Sequence, residues 1–415
     1  MAINGNIKFP GDKSISHRAL MFAALANGQS RISNLSTGAD VQSTRQCLEA
    51  CGIQIENDGD DVIVTGGQFS DPTKPLNCGN SGTTTRLLMG LLAGQGINAT
   101  LIGDESLSSR PMNRILDPLS QMGLQSESND GKLPVIIHKS ELNGIHYKSP
   151  VASAQVKSAI LLAGLGANDQ TTVTEPILSR DHTEKMLTGI GANLNSNGLS
   201  SIISPLSFSL SNFNIIVPGD PSMAAFFAAA AAIVPDSDIT MNGILRNPTR
   251  IGFYITLQKM GAEMDCLATW EEAGETIGKL NVIHQPLNGI TITQDHVPSL
   301  IDELPIIAVL ATQAQGKTEV RDAEELRLKE SDRIHAICKN LNSMGADIKE
   351  LDDGFIINGP TQLKGATIET FHDHRIAMAF TVAELIADGD VVLDHPECAS
   401  ISFPEFYDEL YRLKQ

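Results

Sequence analysis

The sequence contains few aromatic and few basic side chains. Its 415 residues include one Trp and four Tyr, and 30 Lys and Arg stand against 49 Asp and Glu, which gives a formal net charge of −19. So few aromatic rings argue against a surface that stacks nucleic-acid bases or sugars. The acidic balance argues against a basic face that neutralises a phosphate backbone. We therefore expect no nucleic-acid partner.

Cysteine and long apolar runs are also scarce. The six cysteines are scattered and form no close metal-ligand group, which indicates a reducing compartment, no disulfide framework and no metal. The longest apolar run, Ala224 to Val234, is roughly half as long as a membrane-spanning helix, and Pro235 ends it. The first ten residues lack the basic and apolar segments of a signal peptide. We expect a soluble cytoplasmic protein without a membrane partner.

The few basic residues are concentrated in short segments rich in Gly and Ser. Twelve of the 30 Lys and Arg lie in seven windows that together hold 49 residues, an enrichment of about threefold. Basic loops in an acidic chain can focus the electrostatic field on a small ligand. We interpret these windows as a site for a small polyanion. The windows are 9–18, 79–86, 108–114, 153–158, 179–185, 327–333 and 372–375.

A repeated junction divides the chain into similar units. Five times a helical pattern ends at a glycine and continues as an alternating, strand-like stretch. The glycines are 68 to 84 residues apart, a spacing that predicts about six units of helix and strands. They are Gly52, Gly123, Gly191, Gly261 and Gly345.

Two similar turns suggest a division into two domains, which the chain length also favours. Segments 9–14 and 217–222 each place Pro-Gly-Asp before a helical pattern that the Asp could cap. We predict a first lobe over 12–218 and a second lobe formed by 1–11 and 219–415, with two crossing strands as a hinge. A common turn used twice would produce the same pattern without a hinge.

Several motifs place anion ligands at predicted helix starts. Ser14 and Arg18 lie one helical turn apart, with Lys13 at the helix N-terminus, where anions bind. Segment 79–86 is rich in Gly, Ser and Thr, but no Gly-Lys-Ser/Thr follows it, so it is not a nucleotide-binding P-loop. Pro111 holds Arg110 extended. Segment 153–158 offers hydroxyl, amide and ammonium donors. Ordinary helix caps, ion pairs and solvated turns fit the same residues.

The second half of the chain adds charged motifs beside apolar residues. Segment 327–333 alternates cations with Glu330 and Asp332, and Leu326, Leu328, Ile334 and Ile337 predict a buried side for it. Segment 372–375 precedes an apolar stretch, and its arginine suits a carboxylate better than its histidines suit a metal. Asp302 and Glu303 lie in an apolar segment, where a raised pKa would suit a general base. A helix-capping acid pair would look the same.

Taken in order, these motifs resemble the EPSP synthase family (5-enolpyruvylshikimate-3-phosphate synthase). The matching segments are 11–18, 79–86, 110–111, 153–155, 301–303, 327–333 and 373–375, and they span nearly the whole chain. The resemblance implies an α/β (α+β) fold of six βαβαββ units in two lobes, an inside-out α/β barrel. It also implies transfer of the enolpyruvyl group of phosphoenolpyruvate to the 5-hydroxyl of shikimate 3-phosphate, with no metal or cofactor.

The resemblance assigns roles to individual residues. It implies that shikimate 3-phosphate is bound by Lys13, Ser14, Arg18, Ser153, Ala154, Gln155, Arg180, Asp302 and Lys329. It implies that phosphoenolpyruvate is bound by Lys13, Gly82, Arg110, Gln155, Arg333, His374 and Arg375. Asp302 would take the proton of the attacking hydroxyl, and Glu330, with Lys13, would protonate the other substrate. Closure of the two domains would bring these groups together.

Other details of the resemblance concern inhibition and alternatives. Ala154, Arg180 and His17 are similar to the class II branch, which includes members tolerant of the inhibitor glyphosate. Gly82 is typical of sensitive members, and Ile401 replaces a lysine of the other branch, so sensitivity stays open. We expect a monomer that binds glyphosate.

Three rival functions fit less of the sequence. A sister transferase for a UDP-amino sugar typically uses a loop cysteine in the first lobe, and none occurs between Cys78 and Cys266. A binding protein without catalysis would not need Asp302 and Glu330, and ligand binding without turnover would identify it. A nucleotide kinase would need a complete P-loop, Gly-x-x-x-x-Gly-Lys-Ser/Thr, and a set of metal-binding carboxylates, and the sequence shows neither.

Overall fold

A computed structural model of the chain describes residues 2–207, 209–272 and 274–414. The chain forms two compact units. The first unit comprises Gly11–Val217 with Glu272–Gly274, and the second comprises Met1–Pro10, Pro218–Glu271 and Glu275–Gln415. Each unit combines helices with strands, which confirms the predicted α/β class.

The first unit contains the elements from α1 to α7 and from β2 to β14. Its helices are α1 (Lys13–Leu25), α2 (Ala39–Ala50), α3 (Gly82–Gly94), α4 (Glu105–Ser109), α5 (Asn113–Gln121), α6 (Ala154–Gly164) and α7 (His182–Gly189). Its strands are β2 (Ala26–Ser33), β3 (Gln54–Asp58), β4 (Asp61–Gly66), β5 (Leu76–Asn77), β6 (Ala99–Ile102), β7 (Gln125–Asn129), β8 (Lys132–His138), β9 (His146–Lys148), β10 (Thr171–Thr174), β11 (Leu194–Asn197), β12 (Ser200–Ile203), β13 (Leu210–Ser211) and β14 (Asn214–Ile216).

The second unit contains β1 and the elements that follow β14. Its helices are α8 (Pro221–Ile233), α9 (Gly252–Lys259), α10 (Leu304–Gln313), α11 (Arg333–Ser343), α12 (His374–Glu384) and α13 (Phe406–Leu413). Its strands are β1 (Asn4–Lys8), β15 (Asp238–Leu245), β16 (Glu263–Glu272), β17 (Glu275–Ile283), β18 (Thr291–Ile292), β19 (Gly316–Val320), β20 (Asp347–Leu351), β21 (Gly354–Gly359), β22 (Thr367–Ile368) and β23 (Val392–Leu393). Short 3₁₀ segments cover Val297–Ser299, Ile301–Glu303, Glu324–Leu328 and Pro396–Ile401.

Within the described ranges the strands form six sheets, three in each unit. The first unit has the orders β13-β2-β4-β3 (with β14 also on β2), β5-β6-β8-β7 and β11-β12-β10-β9. The second has β1-β15-β17-β16, β18-β19-β21-β20 and β22-β23. In the β5–β8, β9–β12 and β18–β21 sheets, one parallel pair is followed by two antiparallel pairs. This recurrence is what a repeated unit requires.

The five repeated junctions occur where the sequence predicts them. Each glycine follows a helix and precedes a strand, with φ between 83° and 104°. This left-handed conformation is open to Gly and strained for other residues, so it ends the helix and turns the chain into the next strand. The junctions join α2 to β3, α5 to β7, α7 to β11, α9 to β16 and α11 to β20.

The two Pro-Gly-Asp turns both begin helices. Asp12 accepts a hydrogen bond from the N–H of Ile15 at 2.8 Å, and Asp220 accepts one from the N–H of Ser222 at 2.8 Å. They cap α1 and α8, as predicted. The boundaries between the units fall inside these turns, after Pro10 and after Val217.

In each unit the most apolar helices are buried and pack on one another. In the first unit α3 packs along α6, and a Cβ added at Gly90 would lie 2.1 Å from the carbonyl oxygen of Ala159, so only Gly permits this approach. In the second unit α8, α10 and α12 pack together. Within the described part of the chain, no helix is both long and apolar enough to cross a membrane.

Candidate active site

The N-terminus of α1 carries the first group of predicted anion ligands. Lys13 forms an ion pair with Asp40 of α2, with 3.0 Å between Nζ and Oδ2, and both side chains are mostly buried. Ser14 is half-buried beside it. The pairing with Asp40 fixes the ammonium at the mouth of the helix, where N–H groups and the helix dipole favour an anion.

Arg18, one turn into α1, is 3% exposed and is bound into the first unit. Its Nη1 donates to the carbonyl oxygen of Ser14 at 2.9 Å. Its Nε donates to Thr183 at 2.7 Å and its Nη2 to Ser158 at 2.8 Å. The guanidinium therefore ties together α1, α6 and α7, in addition to lying one turn from Ser14 as the spacing predicts.

His17 connects α1 to the Gly-rich segment through buried hydroxyl groups. Its Nδ1 lies 2.7 Å from Oγ1 of Thr44, which lies 2.7 Å from Oγ1 of Thr84. Thr84 in turn donates to Ser81, the N-cap of α3, at 2.7 Å. Complete burial lowers the pKa of His17 to about 3, and the nearby Lys13 and Arg18 act in the same direction, against Asp40. His17 is therefore neutral at physiological pH.

Segment 79–86 forms the start of α3, where three predicted ligands meet. A Cβ added at Gly82 would lie 3.2 Å from Nη1 of Arg86 and 3.7 Å from Nη1 of Arg110. Arg86 donates to Oε1 of Gln155 at 2.6 Å, and Gln155 donates to Thr83 at 3.0 Å. Two cations thus lie beside a residue without a side chain at a helix N-terminus, where N–H groups favour an anion.

The start of α6 and the segment before α7 carry the next predicted ligands. Ser153 caps α6 by accepting from the N–H of Val156 at 3.4 Å, and Arg180 is half-buried. The sequence predicts that Lys157 offers its ammonium group to a ligand, and the structure places it elsewhere. It is 2% exposed and pairs with Glu175 at 2.7 Å and with Glu184 at 2.8 Å, because α6 turns it away from the helix mouth and into the unit.

In the second unit, Arg333 is the centre of a buried network of carboxylates. Its side chain is 1% exposed, and its guanidinium donates twice to Asp373, at 2.8 and 3.2 Å. Nη2 also donates to Glu330 at 2.6 Å. Burial disfavours the charged guanidinium, but attraction by Asp373 and Glu330 outweighs it and raises the pKa of Arg333. Burial likewise opposes the charge on Asp373, and the attraction of Arg333 outweighs it and lowers the pKa of Asp373.

Asp302 lies at the convergence of three cations, just before α10. Its Oδ1 is 3.5 Å from Nζ of Lys329 and 3.4 Å from Nη1 of Arg333. Arg375 donates to the backbone carbonyl oxygen of Asp302 at 3.0 Å. The Asp302 side chain is 15% exposed, so it can reach a substrate, and His374 is buried at the start of α12. The arrangement combines a proton acceptor with fixed positive charge.

Glu303, the neighbour of Asp302, is the acid with the raised pKa. It is 3% exposed, and burial raises its pKa although Arg375, with Nη1 3.7 Å from Oε1, opposes the shift. Ser222 donates a hydrogen bond to it. The raised pKa expected for an acid in this apolar segment thus occurs at Glu303. Asp302 lies among cations instead.

A family model described as EPSP synthase (3-phosphoshikimate 1-carboxyvinyltransferase) matches residues 1–410. The chain belongs to the EPSP synthase family. Among its relatives is the 3-phosphoshikimate 1-carboxyvinyltransferase of Thermodesulfovibrio yellowstonii, 46% identical over 420 residues, which cover 100% of this chain and 98% of the relative. The 3-phosphoshikimate 1-carboxyvinyltransferase of Oceanobacillus iheyensis is 45% identical over 414 residues, which cover 99% of this chain and 96% of the relative.

Solved structures agree with this assignment. The EPSP synthase of Acinetobacter baumannii superposes with a TM-score of 0.89 at 40% identity and covers 99% of this chain and 96% of its own. The enolpyruvyl transferase NikO of Streptomyces tendae has a TM-score of 0.78 and covers 99% of this chain and 95% of its own. At 18% identity, this likeness shows a shared fold alone. The activity of this chain is therefore the EPSP synthase reaction, as the sequence predicts. In this reaction of the shikimate pathway, the enolpyruvyl group of phosphoenolpyruvate is transferred to shikimate 3-phosphate.

The sequence located the motifs of this EPSP synthase but not all of their partners. Leu328, predicted to be buried, is 63% exposed, because it ends a 3₁₀ turn instead of continuing a helix; Ile334 and Ile337 are fully buried as expected. Asp40 and Glu175 were missed, since nothing in the sequence near them indicates which lysine they pair with. Arg327 forms ion pairs with Asp332 and Glu350 on the surface.

Proposed function

We propose that the chain joins the 5-hydroxyl of shikimate 3-phosphate to C2 of phosphoenolpyruvate by addition and elimination. The supporting observation is the position of Asp302, a partly exposed carboxylate 3.4 to 3.5 Å from Arg333 and Lys329. A carboxylate that accepts a proton needs access to the substrate, and the negative charge that develops needs fixed cations. Asp302 meets the first requirement, and its neighbours meet the second.

The first unit is proposed to bind most of the charged groups of the substrates. Ser14 and Arg18 bind the carboxylate of shikimate 3-phosphate, and Ser153, Ala154 and Arg180 bind its phosphate. Lys13, Arg110 and Gln155, with the backbone at Gly82, bind the phosphate of phosphoenolpyruvate. Support comes from the helix starts, where N–H groups and fixed cations favour an anion.

The second unit is proposed to bind the rest and to carry out the proton transfers. Lys329 and Asp302 bind the ring hydroxyls of shikimate 3-phosphate, and Arg333 and Arg375, with His374, hold the carboxylate of phosphoenolpyruvate. The burial of Arg333 and Arg375 supports rigid, bidentate recognition.

Proton transfers in both directions complete the proposed mechanism. Asp302 accepts the proton of the 5-hydroxyl as its oxygen bonds to C2, and Glu330 or Lys13 delivers a proton to C3. The resulting tetrahedral ketal loses phosphate as the bond between C2 and the phosphate oxygen breaks: C3 returns its proton to the group that supplied it, and Asp302 gives its proton to the leaving phosphate. The close pairing of Glu330 with Arg333, at 2.6 Å, keeps that carboxyl beside the proposed carboxylate-binding group.

We further propose that glyphosate inhibits the enzyme in place of phosphoenolpyruvate and that the protein acts as a monomer in the cytoplasm. The cysteines, which are free in the structure, support a reducing compartment. Gly82, where a Cβ would lie only 3.2 Å from Arg86 and 3.7 Å from Arg110, supports sensitivity to the inhibitor, because no side chain comes between the backbone and these two cations.

Phosphate release provides a direct test. Purified protein in metal-free buffer is mixed with shikimate 3-phosphate and phosphoenolpyruvate, and phosphate is measured across a glyphosate titration. Release that requires both substrates and falls with glyphosate is the expected result. Binding of both substrates without release would contradict the proposed roles of Asp302 and Glu330. Sedimentation velocity measures the oligomeric state in the same buffer.

A further inference from the structure

Three charged side chains form a buried cluster in the first unit, which we call the triad: Lys157, Glu175 and Glu184. Nζ of Lys157, on α6, lies 2.7 Å from Oε2 of Glu175 and 2.8 Å from Oε1 of Glu184 on α7. The three side chains are at most 6% exposed. Burial disfavours the ammonium, but the two carboxylates outweigh it and raise the pKa of Lys157, so it remains charged.

Glu175 holds two separate backbone segments. Its Oε1 accepts from the N–H of Ser153 at 3.2 Å, and its Oε2 accepts from the N–H of Ser179 at 3.4 Å. Ser153 is the N-cap of α6, and Ser179 directly precedes Arg180. One carboxylate therefore fixes the start of a helix relative to a distant loop, and both carry residues to which we assign the phosphate of shikimate 3-phosphate.

The other acid of the triad has different contacts. Glu184 accepts from the hydroxyl of Ser201 on β12 at 3.3 Å, and it bonds to Lys157. Neither of these two contacts involves the backbone of 153–155 or 179–180. The two acids share a cation and a similar burial, which makes Glu184 a matched control for Glu175.

Stability alone is a weak explanation for the triad. Transfer of two carboxylates and an ammonium out of water costs as much as their attraction returns, or more, so buried ion pairs usually add little net stability. The geometric effect is specific, because both oxygens of Glu175 are directed at N–H groups of the two segments and Lys157 holds the carboxylate in that orientation.

We propose that Glu175 is a positioning residue for recognition of the phosphate of shikimate 3-phosphate and that Lys157 orients it. This inference rests on the proposed phosphate site at Ser153, Ala154 and Arg180. Glu175 acts through the backbone: it keeps the Ser153 hydroxyl and Arg180 at the separation that one phosphate group spans. Phosphoenolpyruvate, which we assign to other residues, should be affected much less.

Steady-state kinetics of matched variants test the proposal. In Glu175→Gln only the amide oxygen can accept, so one of the two N–H groups loses its partner. We expect KM for shikimate 3-phosphate to rise about tenfold, the factor that corresponds to the loss of one hydrogen bond of about 1.4 kcal/mol. KM for phosphoenolpyruvate should stay within about threefold, and Glu184→Gln should leave both KM values within about twofold. Lys157→Arg, which keeps the charge, should retain more of the affinity than Lys157→Met.

The outcomes separate this inference from the site on which it rests. Equal effects of Glu175→Gln and Glu184→Gln on both KM values, with equal loss of thermal stability, would show a purely structural role and overturn the proposal. If Ser153→Ala and Arg180→Gln raise KM for shikimate 3-phosphate but Glu175→Gln does not, only this inference is wrong. If none of the three raises it, the proposed phosphate site is wrong as well. Should Lys157→Met not fold, Glu175→Gln decides alone.

Discussion

Replacement of Asp302 by Asn tests the proposed base most directly. The variant keeps the shape of the side chain and removes its ability to accept a proton. General-base catalysis contributes about 10² to 10⁴ in rate, so kcat should fall by about that factor while both KM values change only severalfold. That loss corresponds to about 3 to 5 kcal/mol in the activation free energy.

The structure predicts that this loss is not caused by unfolding. The contacts of Asp302 with Lys329 and Arg333, at 3.5 and 3.4 Å, are longer than a direct charge-assisted hydrogen bond. Loss of contacts this long should cost less than the about 3 to 5 kcal/mol of a broken direct buried pair. Arg333 also keeps Asp373 and Glu330, at 2.8 and 2.6 Å, when Asp302 is neutral. The expected loss of stability is thus below the expected loss in catalysis.

Glu303→Gln is the matched control, because this acid is adjacent, has a raised pKa and is buried. It should retain the chemical step within about tenfold and lose stability instead, since it takes from the buried Arg375 a carboxylate that lies 3.7 Å from its Nη1. Single-turnover measurement of phosphate release, with bound substrate monitored separately, isolates the chemistry. If Asp302→Asn turned over near the wild-type rate and Glu303→Gln did not, Glu303 would be the base and our assignment would be refuted.

Three further predictions concern residues around the site. His17 stays neutral in the folded protein down to about pH 3. Below about pH 6.5 the unfolded state binds the extra proton, so stability falls as the pH falls, and His17→Asn should remove about 2 kcal/mol of that fall between pH 6.5 and 4.5 in urea unfolding. Gly82→Ala places a Cβ 3.2 Å from Nη1 of Arg86, so the Arg86 guanidinium must shift, at a cost of about 1 kcal/mol. We expect KM for phosphoenolpyruvate to rise about fivefold and KM for shikimate 3-phosphate to stay unchanged. Asp373→Asn breaks a buried pair with Arg333, and thermal or urea unfolding should show a loss of about 3 to 5 kcal/mol.

Two of these have a control variant on the same chain. For His17 the control is His146→Asn, the same substitution at an exposed histidine, and the pH slopes of the two variants are compared. For Asp373 the control is Glu409→Gln, which removes a solvent-exposed pair with Arg412 and should cost at most about 1 kcal/mol. A pH slope that His17→Asn leaves intact, an unchanged KM in Gly82→Ala, or equal costs for Asp373→Asn and Glu409→Gln would contradict the respective argument.

The local features of the fold were predictable because their causes are local. A glycine after a helical pattern ends the helix in whatever tertiary setting it occurs, and Gly52, Gly123 and the three equivalents do so. Asp12 and Asp220 cap helices that begin at the next residue, by accepting from N–H groups three and two residues later. The family resemblance added the identity of the reaction, since its motifs are specific in order as well as in composition.

The partners of the charged residues were decided by the tertiary structure. Lys13 pairs with Asp40, and Arg333 with Asp373, from sequence separations of 27 and 40 residues. The chain has 49 acidic residues, and the sequence does not indicate which of them the packing of helices brings within hydrogen-bonding distance of a given cation. The same reason explains Lys157, predicted as a ligand donor and found between Glu175 and Glu184.

The amino-acid sequence by itself determined the repeated helix–glycine–strand junctions, the capped helices and the set of anion-binding motifs, because each depends on residues within about one or two helical turns of one another. The packing of α10 against α8, α11 and α12 determined that Glu303 is buried and that Asp302 lies beside Lys329 and Arg333. Burial and charge proximity are properties of the folded chain, and they distinguish two adjacent acids that the sequence presents as equivalent.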